Sequence, residues 1–225
     1  MTEQRPRAGS IPVTGIDGIM EAPLFPLLSI SRHRMGIDGR GVTTLVAGAG
    51  CPLQCRWCIN RRLLERNEAE PVTARELYKR VQGDDLYYRA TGGGITFGGG
   101  EALLQAAFFA HFRALCGDGW RLCAETSLAV SRELVETAAE SIDEFIVDCK
   151  DMDEAVYHSY TGGDEKIMED NLRFLLKRVG ADRVVVRVPR IPEYNTAESQ
   201  KRSAARLKDL GVTRLDLFDY VRPKE

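Results

Sequence analysis

The segment Val42-Thr-Thr-Leu-Val-Ala47 is a short apolar run rich in β-branched residues, and the stretch Cys51-Pro-Leu-Gln-Cys55-Arg-Trp-Cys58 begins soon after it. Short apolar runs that are bounded by glycine are typical of strands buried in a sheet. We therefore predict a strand over residues 42–47. Its carboxyl end leads directly into a loop that carries three thiols.

Five further β-rich runs follow this strand, and amphipathic stretches that predict helices separate them. One helix is predicted to begin after Thr73, because Thr73-Ala-Arg-Glu76 fits a capping box. The further strands are expected over residues 94–97, 121–124, 144–147, 184–188 and 215–218. The helix after the second strand is expected to bury one apolar face made of Leu104, Ala107, Phe108, Phe112 and Leu115.

Six strands that alternate with helices indicate parallel pairing through right-handed crossovers. No G-x-G-x-x-G turn follows the first strand, which argues against a dinucleotide-binding fold. We therefore predict an α/β fold of the open, partial TIM-barrel type, (β/α)₆, with its chemistry on loops at the carboxyl ends of the strands. Prolines and glycines break every regular period in residues 1–29, which predicts an extended arm before a (β/α)₆ domain of residues 30–225.

The composition excludes several classes of function. The chain has 225 residues, and 31 Lys and Arg against 33 Asp and Glu give a net charge of −2. This balance lacks the basic surplus that a general binder of nucleic acid or of an anionic membrane needs. No stretch approaches the roughly 18 apolar residues of a membrane span, and no apolar signal-peptide core follows Met1. We expect a cytoplasmic protein, in which six cysteines indicate metal or redox chemistry rather than disulfides.

The three cysteines of the loop can surround one side of a compact metal centre. A structural zinc site takes four protein ligands, usually as two separated pairs, and this chain has no second pair. A [4Fe–4S] cluster held by three cysteines would keep one iron open to a small molecule. Three inert buried thiols are a further alternative. The remaining cysteines are isolated in the sequence and are predicted to be core residues: Cys116, Cys123 and Cys149.

The C-x₃-C-x₂-C loop resembles the signature of radical S-adenosylmethionine enzymes. The resemblance implies that Cys51, Cys55 and Cys58 bind a [4Fe–4S] cluster, whose fourth iron is chelated by the amino and carboxylate groups of S-adenosylmethionine. It also implies one-electron cleavage of the sulfonium to a 5′-deoxyadenosyl radical that abstracts hydrogen, a step that needs no catalytic acid or base from the protein. Trp57 is implied to pack near the adenine.

The triplet after the second strand narrows the resemblance. Gly98-Gly99-Gly100-Glu101 and its flanking residues resemble the activating enzymes of glycyl radical enzymes, of the pyruvate formate-lyase activating enzyme type. The resemblance implies that this edge binds the methionine amino group. It implies that Glu125-Thr126 helps to bind the cofactor and, in some members, a monovalent cation. The residues expected around S-adenosylmethionine are Trp57, Gly99, Gly100, Glu101, Glu125, Thr126, Asp148, Lys150 and Arg187.

The end of the fourth predicted strand carries two charged residues. Asp148 and Lys150 end the fourth strand, and residues two apart in a strand share a face, so both side chains should project together.

Gly98 stands where these activating enzymes often have Ser, and Ala102 where they usually have Pro. Val221 stands about where many of them carry a His near the bound ligand, and no substitute is obvious in the sequence.

Three functions are therefore open. The first is an activating enzyme that abstracts hydrogen from a glycine of a partner glycyl radical enzyme, with flavodoxin or ferredoxin as the electron donor that the family implies. The second is a radical S-adenosylmethionine enzyme that acts on a small molecule or short peptide, as in the carboxy-deazaguanine synthases. The third is a non-enzymatic zinc or iron–sulfur scaffold in which the cysteine loop is structural.

Overall fold

The protein is described here from a computed structural model, which covers residues 22–65 and 68–222. Within these residues the strands are β1 (Phe25–Met35), β2 (Val42–Gly48), β3 (Glu70–Val72), β4 (Gly94–Gly99), β5 (Arg121–Thr126), β6 (Glu144–Asp148), β7 (Val184–Arg190) and β8 (Arg214–Asp219). The helices are α1 (Arg61–Glu65), α2 (Ala74–Val81), α3 (Asp85–Thr91), α4 (Ala106–Cys116), α5 (Arg132–Ala139), α6 (Glu154–Thr161), α7 (Glu165–Val179) and α8 (Ala197–Asp209).

The six predicted strands are present as β2 and β4 to β8, and each pairs in parallel with its neighbour. They form one open sheet in the order β3-β1-β2-β4-β5-β6-β7-β8. Because parallel strands need crossover connections, helical segments lie between them along the chain. The prediction of an α/β fold of the open, partial-barrel type is confirmed.

The sequence analysis missed two strands, β1 and β3, which both pair antiparallel at one side of the sheet. β1 lies between β2 and β3, and Pro26 of β1 faces Pro71 of β3. Proline in a run argues against a strand, since it cannot donate to the ladder, and that rule hid both elements. β1 also crosses the predicted boundary between residues 29 and 30, while residues 1–21 of the predicted arm lie outside the described residues.

An aromatic cluster fixes β1 and α4 to the sheet. Phe25 of β1 lies 5.6 Å from Phe97 of β4 and 5.2 Å from Phe108 of α4, measured between ring centroids. The predicted buried face of this helix is wrong at Leu104 and Ala107, which are both exposed. Leu104 belongs to a 3₁₀ turn before α4, and a 3₁₀ turn has three residues per turn, so the turn breaks the 3.6-residue period on which the prediction relied.

The start of α2 follows from its sequence. The Thr73 hydroxyl accepts a hydrogen bond from the Glu76 amide, and the Glu76 carboxylate accepts one from the Thr73 amide at 2.8 Å. The predicted capping box is therefore confirmed. Within the described ranges, no helix has both the length and the apolar character needed to cross a bilayer.

Candidate active site

A cavity of about 500 Å³ opens where the parallel strands end. Its walls come from the cysteine loop after β2, the turn after β4, and the ends of β5, β6 and β8, with Arg187 of β7 on the inner surface. Convergence of these segments follows from parallel pairing, which brings the carboxyl ends of successive strands to one edge. Predicted site residues that line it are Cys51, Cys55, Cys58, Gly99, Gly100, Glu101, Glu125, Thr126, Asp148, Lys150 and Arg187.

Backbone hydrogen bonds to the end of α6 hold the cysteine loop in place. The amide of Gln54 donates to the carbonyl of Thr161 at 2.8 Å, and the amide of Arg56 donates to the carbonyl of Tyr160 at 2.9 Å. These two bonds flank Cys55 on both sides. Gly163 allows the loop to approach, since a Cβ at that position would lie 2.5 Å from the Leu53 side chain.

All three loop thiols face the cavity, whereas the other three cysteines are buried core residues as predicted. Desolvation by neighbouring groups raises the pKa of Cys51 to about 11 and also raises the pKa of Cys55. A bound metal would instead lower the pKa of these thiols, because a thiol that coordinates a metal is deprotonated. Among the described residues, no three His, Cys, Asp or Glu side chains converge closely enough to hold one metal ion.

The Gly98–Glu101 turn packs its backbone directly against the segment that leads to the cysteines. The amide of Gly100 donates to the carbonyl of Gly48 at 2.9 Å, and the amide of Glu101 donates to the carbonyl of Gly50 at 2.8 Å. A Cβ at Gly100 would lie 2.0 Å from the Gly50 carbonyl oxygen, so only glycine fits there. The side-chain amide of Asn60 donates to the backbone carbonyl of Gly99 at 2.7 Å and connects the far end of the loop to the same turn.

The carboxylate of Glu101 is engaged within the protein. It accepts hydrogen bonds from the Thr126 hydroxyl at 2.6 Å, the Ser127 amide at 2.8 Å, the Ser127 hydroxyl at 2.6 Å and the Leu103 amide at 3.1 Å. Burial raises its pKa, and these hydrogen bonds oppose that shift. The side chains of Glu101 and Thr126 therefore join the turn after β4 to the end of β5.

Glu125 and Arg187 form an ion pair inside the cavity, with 2.8 Å between Oε1 of Glu125 and Nη1 of Arg187. Burial raises the pKa of Glu125 to about 7, although the positive charge of Arg187 opposes the shift. A second guanidinium nitrogen of Arg187 donates to the carbonyl of Ile37 in the turn between β1 and β2. This side chain thus connects three separate segments of the cavity wall.

Asp148 and Lys150 form a second ion pair, with 2.9 Å between the Lys150 Nζ and the Asp148 carboxylate. Both side chains line the cavity, so the expectation that they project together is confirmed. Burial acts to lower the pKa of Lys150, but the charges of Asp148 and Cys55 outweigh it and raise that pKa overall. Lys150 therefore carries a positive charge close to the cysteine loop.

Trp57 is the one predicted site residue that does not line the cavity. Its carbonyl accepts a hydrogen bond from the Tyr220 hydroxyl, and the Arg222 guanidinium lies 4.5 Å from its ring centroid. Val221, at the place of the family's His, is 82% exposed, whereas Tyr220 beside it lines the cavity. The sequence analysis missed Tyr220 because single residues beyond a strand carry no periodic signal.

Other cavity residues were also absent from the predicted set. They include Ser127, Tyr160 and Phe218, and the turn residues Ile37 and Asp38. The Tyr160-Thr-Gly-Gly163 motif offered a signal for Tyr160, since its glycines mark the close approach of the cysteine loop. Residues 37 and 38 precede the first predicted strand, and the cavity that they line also takes residues from as far along the chain as Tyr220.

Comparisons with known proteins show the family of this chain. The family model of the Radical SAM superfamily matches residues 45–213. The (2S)-3-sulfopropanediol dehydratase activating enzyme of Klebsiella oxytoca is 33% identical, with coverage of 82% of this chain and 78% of that protein. The choline trimethylamine-lyase activating enzyme of Oleidesulfovibrio alaskensis is 26% identical, covering 88% and 78% respectively. The pyruvate formate-lyase 1-activating enzyme of Escherichia coli K12 is 28% identical, covering 82% and 76%.

Solved structures show the same fold at lower sequence identity. SuiB of Streptococcus suis has a TM-score of 0.61 and 13% identity, and the match covers 80% of this chain and 40% of that chain. The structure of native anSMEcpe with bound AdoMet has a TM-score of 0.58 and 17% identity, covering 78% and 50%. By its family match and its curated relatives, the chain belongs to the Radical SAM superfamily and is an enzyme most similar to the activating enzymes within it.

Proposed function

We propose that this protein is an activating enzyme that generates a glycyl radical on a partner enzyme. The observation that carries the proposal is the convergence of three loop cysteines and two half-buried ion pairs on one cavity. The three relatives described above are all activating enzymes, which favours this reaction over the small-molecule alternative. Their names refer to two different lyases and a dehydratase, so the relatives do not identify the partner of this protein.

The donor set fits a [4Fe–4S] cluster. Three thiols on one loop face the same cavity, and each would bind a different iron, so they need not converge on a single point. Cys51, Cys55 and Cys58 would be the ligands. When bound and reduced by an external electron donor, the cluster and S-adenosylmethionine would supply the radical chemistry that removes a hydrogen atom from the glycine.

The charges in the cavity complement the two charged groups of an amino acid moiety. Glu125 and Asp148 offer negative charge to an ammonium group, and Lys150 and Arg187 offer positive charge to a carboxylate. Gly99 and Gly100 would contribute backbone atoms, because their lack of a side chain lets a ligand approach. A monovalent cation would bind beside the carboxylate of S-adenosylmethionine. Glu101 and Thr126 would act by holding the wall of the site, since their polar atoms already bond each other.

The rim of the cavity suits a protein substrate. Ile37 and Ile59 both line the cavity while remaining 59% and 68% exposed. A protein substrate that binds over the cavity would cover both side chains. All six cysteines are free, which is typical of the reducing cytosol, where flavodoxin or ferredoxin would donate the electron.

The proposal is tested with the full chain, reconstituted anaerobically with iron and sulfide. S-adenosylmethionine, a reductant and a glycyl radical enzyme encoded in the same genome are added, and electron paramagnetic resonance is recorded. We expect a glycyl doublet with wild type and with the buried-thiol variant Cys116→Ala, but not with Cys55→Ala. Formation of 5′-deoxyadenosine with no doublet on any candidate partner would favour a small-molecule substrate. A colourless protein that binds zinc would indicate a structural scaffold.

A further inference from the structure

Three buried side-chain polar atoms have no hydrogen-bond partner in the described part of the chain: Trp57 Nε1, Tyr157 Oη and Glu165 Oε1. The Glu165 oxygen still has the Arg206 guanidinium 3.2 Å away as a charge partner. The other two lie in or against the cysteine loop. A buried donor without an acceptor destabilises the fold, and each such group in a folded protein requires an explanation, such as a missing ion or ligand.

Tyr157 is placed behind the loop by α6. Its side chain is fully buried, at 0% exposure. The last turn of the same helix accepts the two backbone hydrogen bonds from Gln54 and Arg56 that flank Cys55. A Cβ built at Gly163 would lie 3.4 Å from the Tyr157 ring and 2.5 Å from the Leu53 side chain, so the ring and the loop both lie close to Gly163.

The surroundings of Tyr157 keep its hydroxyl protonated. Burial raises its pKa, and the nearby thiols of Cys149 and Cys55 raise it further. A phenol in this state is a hydrogen-bond donor that needs an acceptor. Sulfur that carries negative charge is such an acceptor. The sulfur of Cys55 would carry it when the cluster is bound, and the residues on both sides of Cys55 are bonded to the helix that carries Tyr157.

We propose that the Tyr157 hydroxyl donates a hydrogen bond to the cluster–thiolate unit held by the cysteine loop. The inference rests on the proposed function, because it requires a bound iron–sulfur cluster. Tyr157 would be a positioning residue rather than a catalytic one. Hydrogen bonds to cluster sulfur stabilise the added electron of the reduced state, so the bond raises the reduction potential and retains the cluster.

The test compares wild type with Tyr157→Phe in the full chain, before and after reconstitution. Without the cluster, Tyr157→Phe should melt at the same temperature as wild type or higher, since it loses an unpaired donor. With the cluster, its midpoint potential should be more negative, and iron should be lost to a chelator about tenfold faster. Tyr88→Phe is the matched control, because Tyr88 already donates to Thr44 at 2.6 Å. That variant should lose stability in both states and keep the wild-type potential.

The outcomes distinguish a failure of the proposed function from a failure of the inference about Tyr157. Failure of wild type to bind an iron–sulfur cluster overturns the proposed function and this inference with it. Equal potentials and equal rates of iron loss in wild type and Tyr157→Phe overturn this inference alone. Tyr157→Met provides a second variant without the hydroxyl, whose flexible side chain fills the space differently. A potential that shifts in only one of the two variants would indicate a packing effect and overturn the role of the hydroxyl.

Discussion

Nη1 of Arg187 on β7 lies 2.8 Å from Oε1 of Glu125 on β5, so this ion pair passes over the intervening strand β6. Side chains of alternate strands meet in this way when they project from the same face of the sheet. The contact places a carboxylate in a desolvated position that a strand end at the surface would not provide. The consequences can be measured through the pH dependence of stability.

We predict that Glu125 makes the protein less stable as the pH rises from about 4.5 towards neutrality. Burial raises the pKa of Glu125 from 4.5 to about 7, with Arg187 opposing the shift and Asp148 and Asp38 adding to it. The unfolded chain therefore releases this proton first, and the folded state loses stability between about pH 4.5 and 7. The loss is at most about 3 kcal/mol. Thermal melts of wild type and Glu125→Gln from pH 5 to 8 should diverge with pH.

The control for this experiment is Glu136→Gln, which removes an exposed carboxylate from α5. Its melting temperature should follow that of wild type at every pH. If the difference between wild type and Glu125→Gln stays constant from pH 5 to 8, the assigned pKa is incorrect.

The Gly100→Ala substitution should disrupt the turn that supports the cysteine loop. Its new Cβ would lie 2.0 Å from the Gly50 carbonyl oxygen, which is backbone and cannot rotate away. We expect a loss of about 1–3 kcal/mol in the free energy of unfolding, together with reduced cluster content. Gly83→Ala is the control, since its Cβ would meet only the Arg32 side chain at 3.5 Å. Denaturant titrations of both variants that coincide with wild type would contradict this account of the turn.

Tyr220 should restrain the cysteine loop through its hydrogen bond to the Trp57 carbonyl. In Tyr220→Phe that acceptor loses its partner, at a cost of about 1–3 kcal/mol where it is shielded from water. Amide hydrogen exchange in residues 51–58 should become faster, while exchange in α2 stays unchanged. Tyr87→Phe, at an exposed tyrosine, should leave both regions as in wild type. Unaltered exchange in the loop of Tyr220→Phe would show that the contact does not restrain it.

The capping box of α2 provides a prediction about stability alone. Thr73→Ala removes the hydroxyl that accepts from the Glu76 amide and should cost about 1 kcal/mol in the free energy of unfolding. Thr73→Ser keeps that acceptor and should remain close to wild type. Neither variant should change the yield of 5′-deoxyadenosine at a temperature where both are folded. A lower yield from folded Thr73→Ala would mean that α2 influences the active site.

Much of the sheet could be predicted because its signals are local. Apolar runs, the capping box at Thr73 and the alternation of strands with helices depend on residues a few positions apart. Asp148 and Lys150 lie together as the two-residue period of a strand predicts, although β6 ends at Asp148 and Lys150 follows it. By contrast, Pro26 and Pro71 concealed β1 and β3, whose formation depends on pairing at one side of the sheet. The roles of the predicted residues in binding the cofactor stay predictions.

The sequence by itself determined the order of the parallel strands and the position of three thiols at the end of the first of them. Only the tertiary structure decided which groups are already engaged and which face the cavity. Glu101 bonds to Thr126 and Ser127, Arg187 bonds to the carbonyl of Ile37, and Tyr220 bonds to that of Trp57. The last two pairs lie 150 and 163 residues apart. Periodicity reports only near neighbours in the chain, so contacts of that range exist only once the sheet has curved and brought its strand ends together.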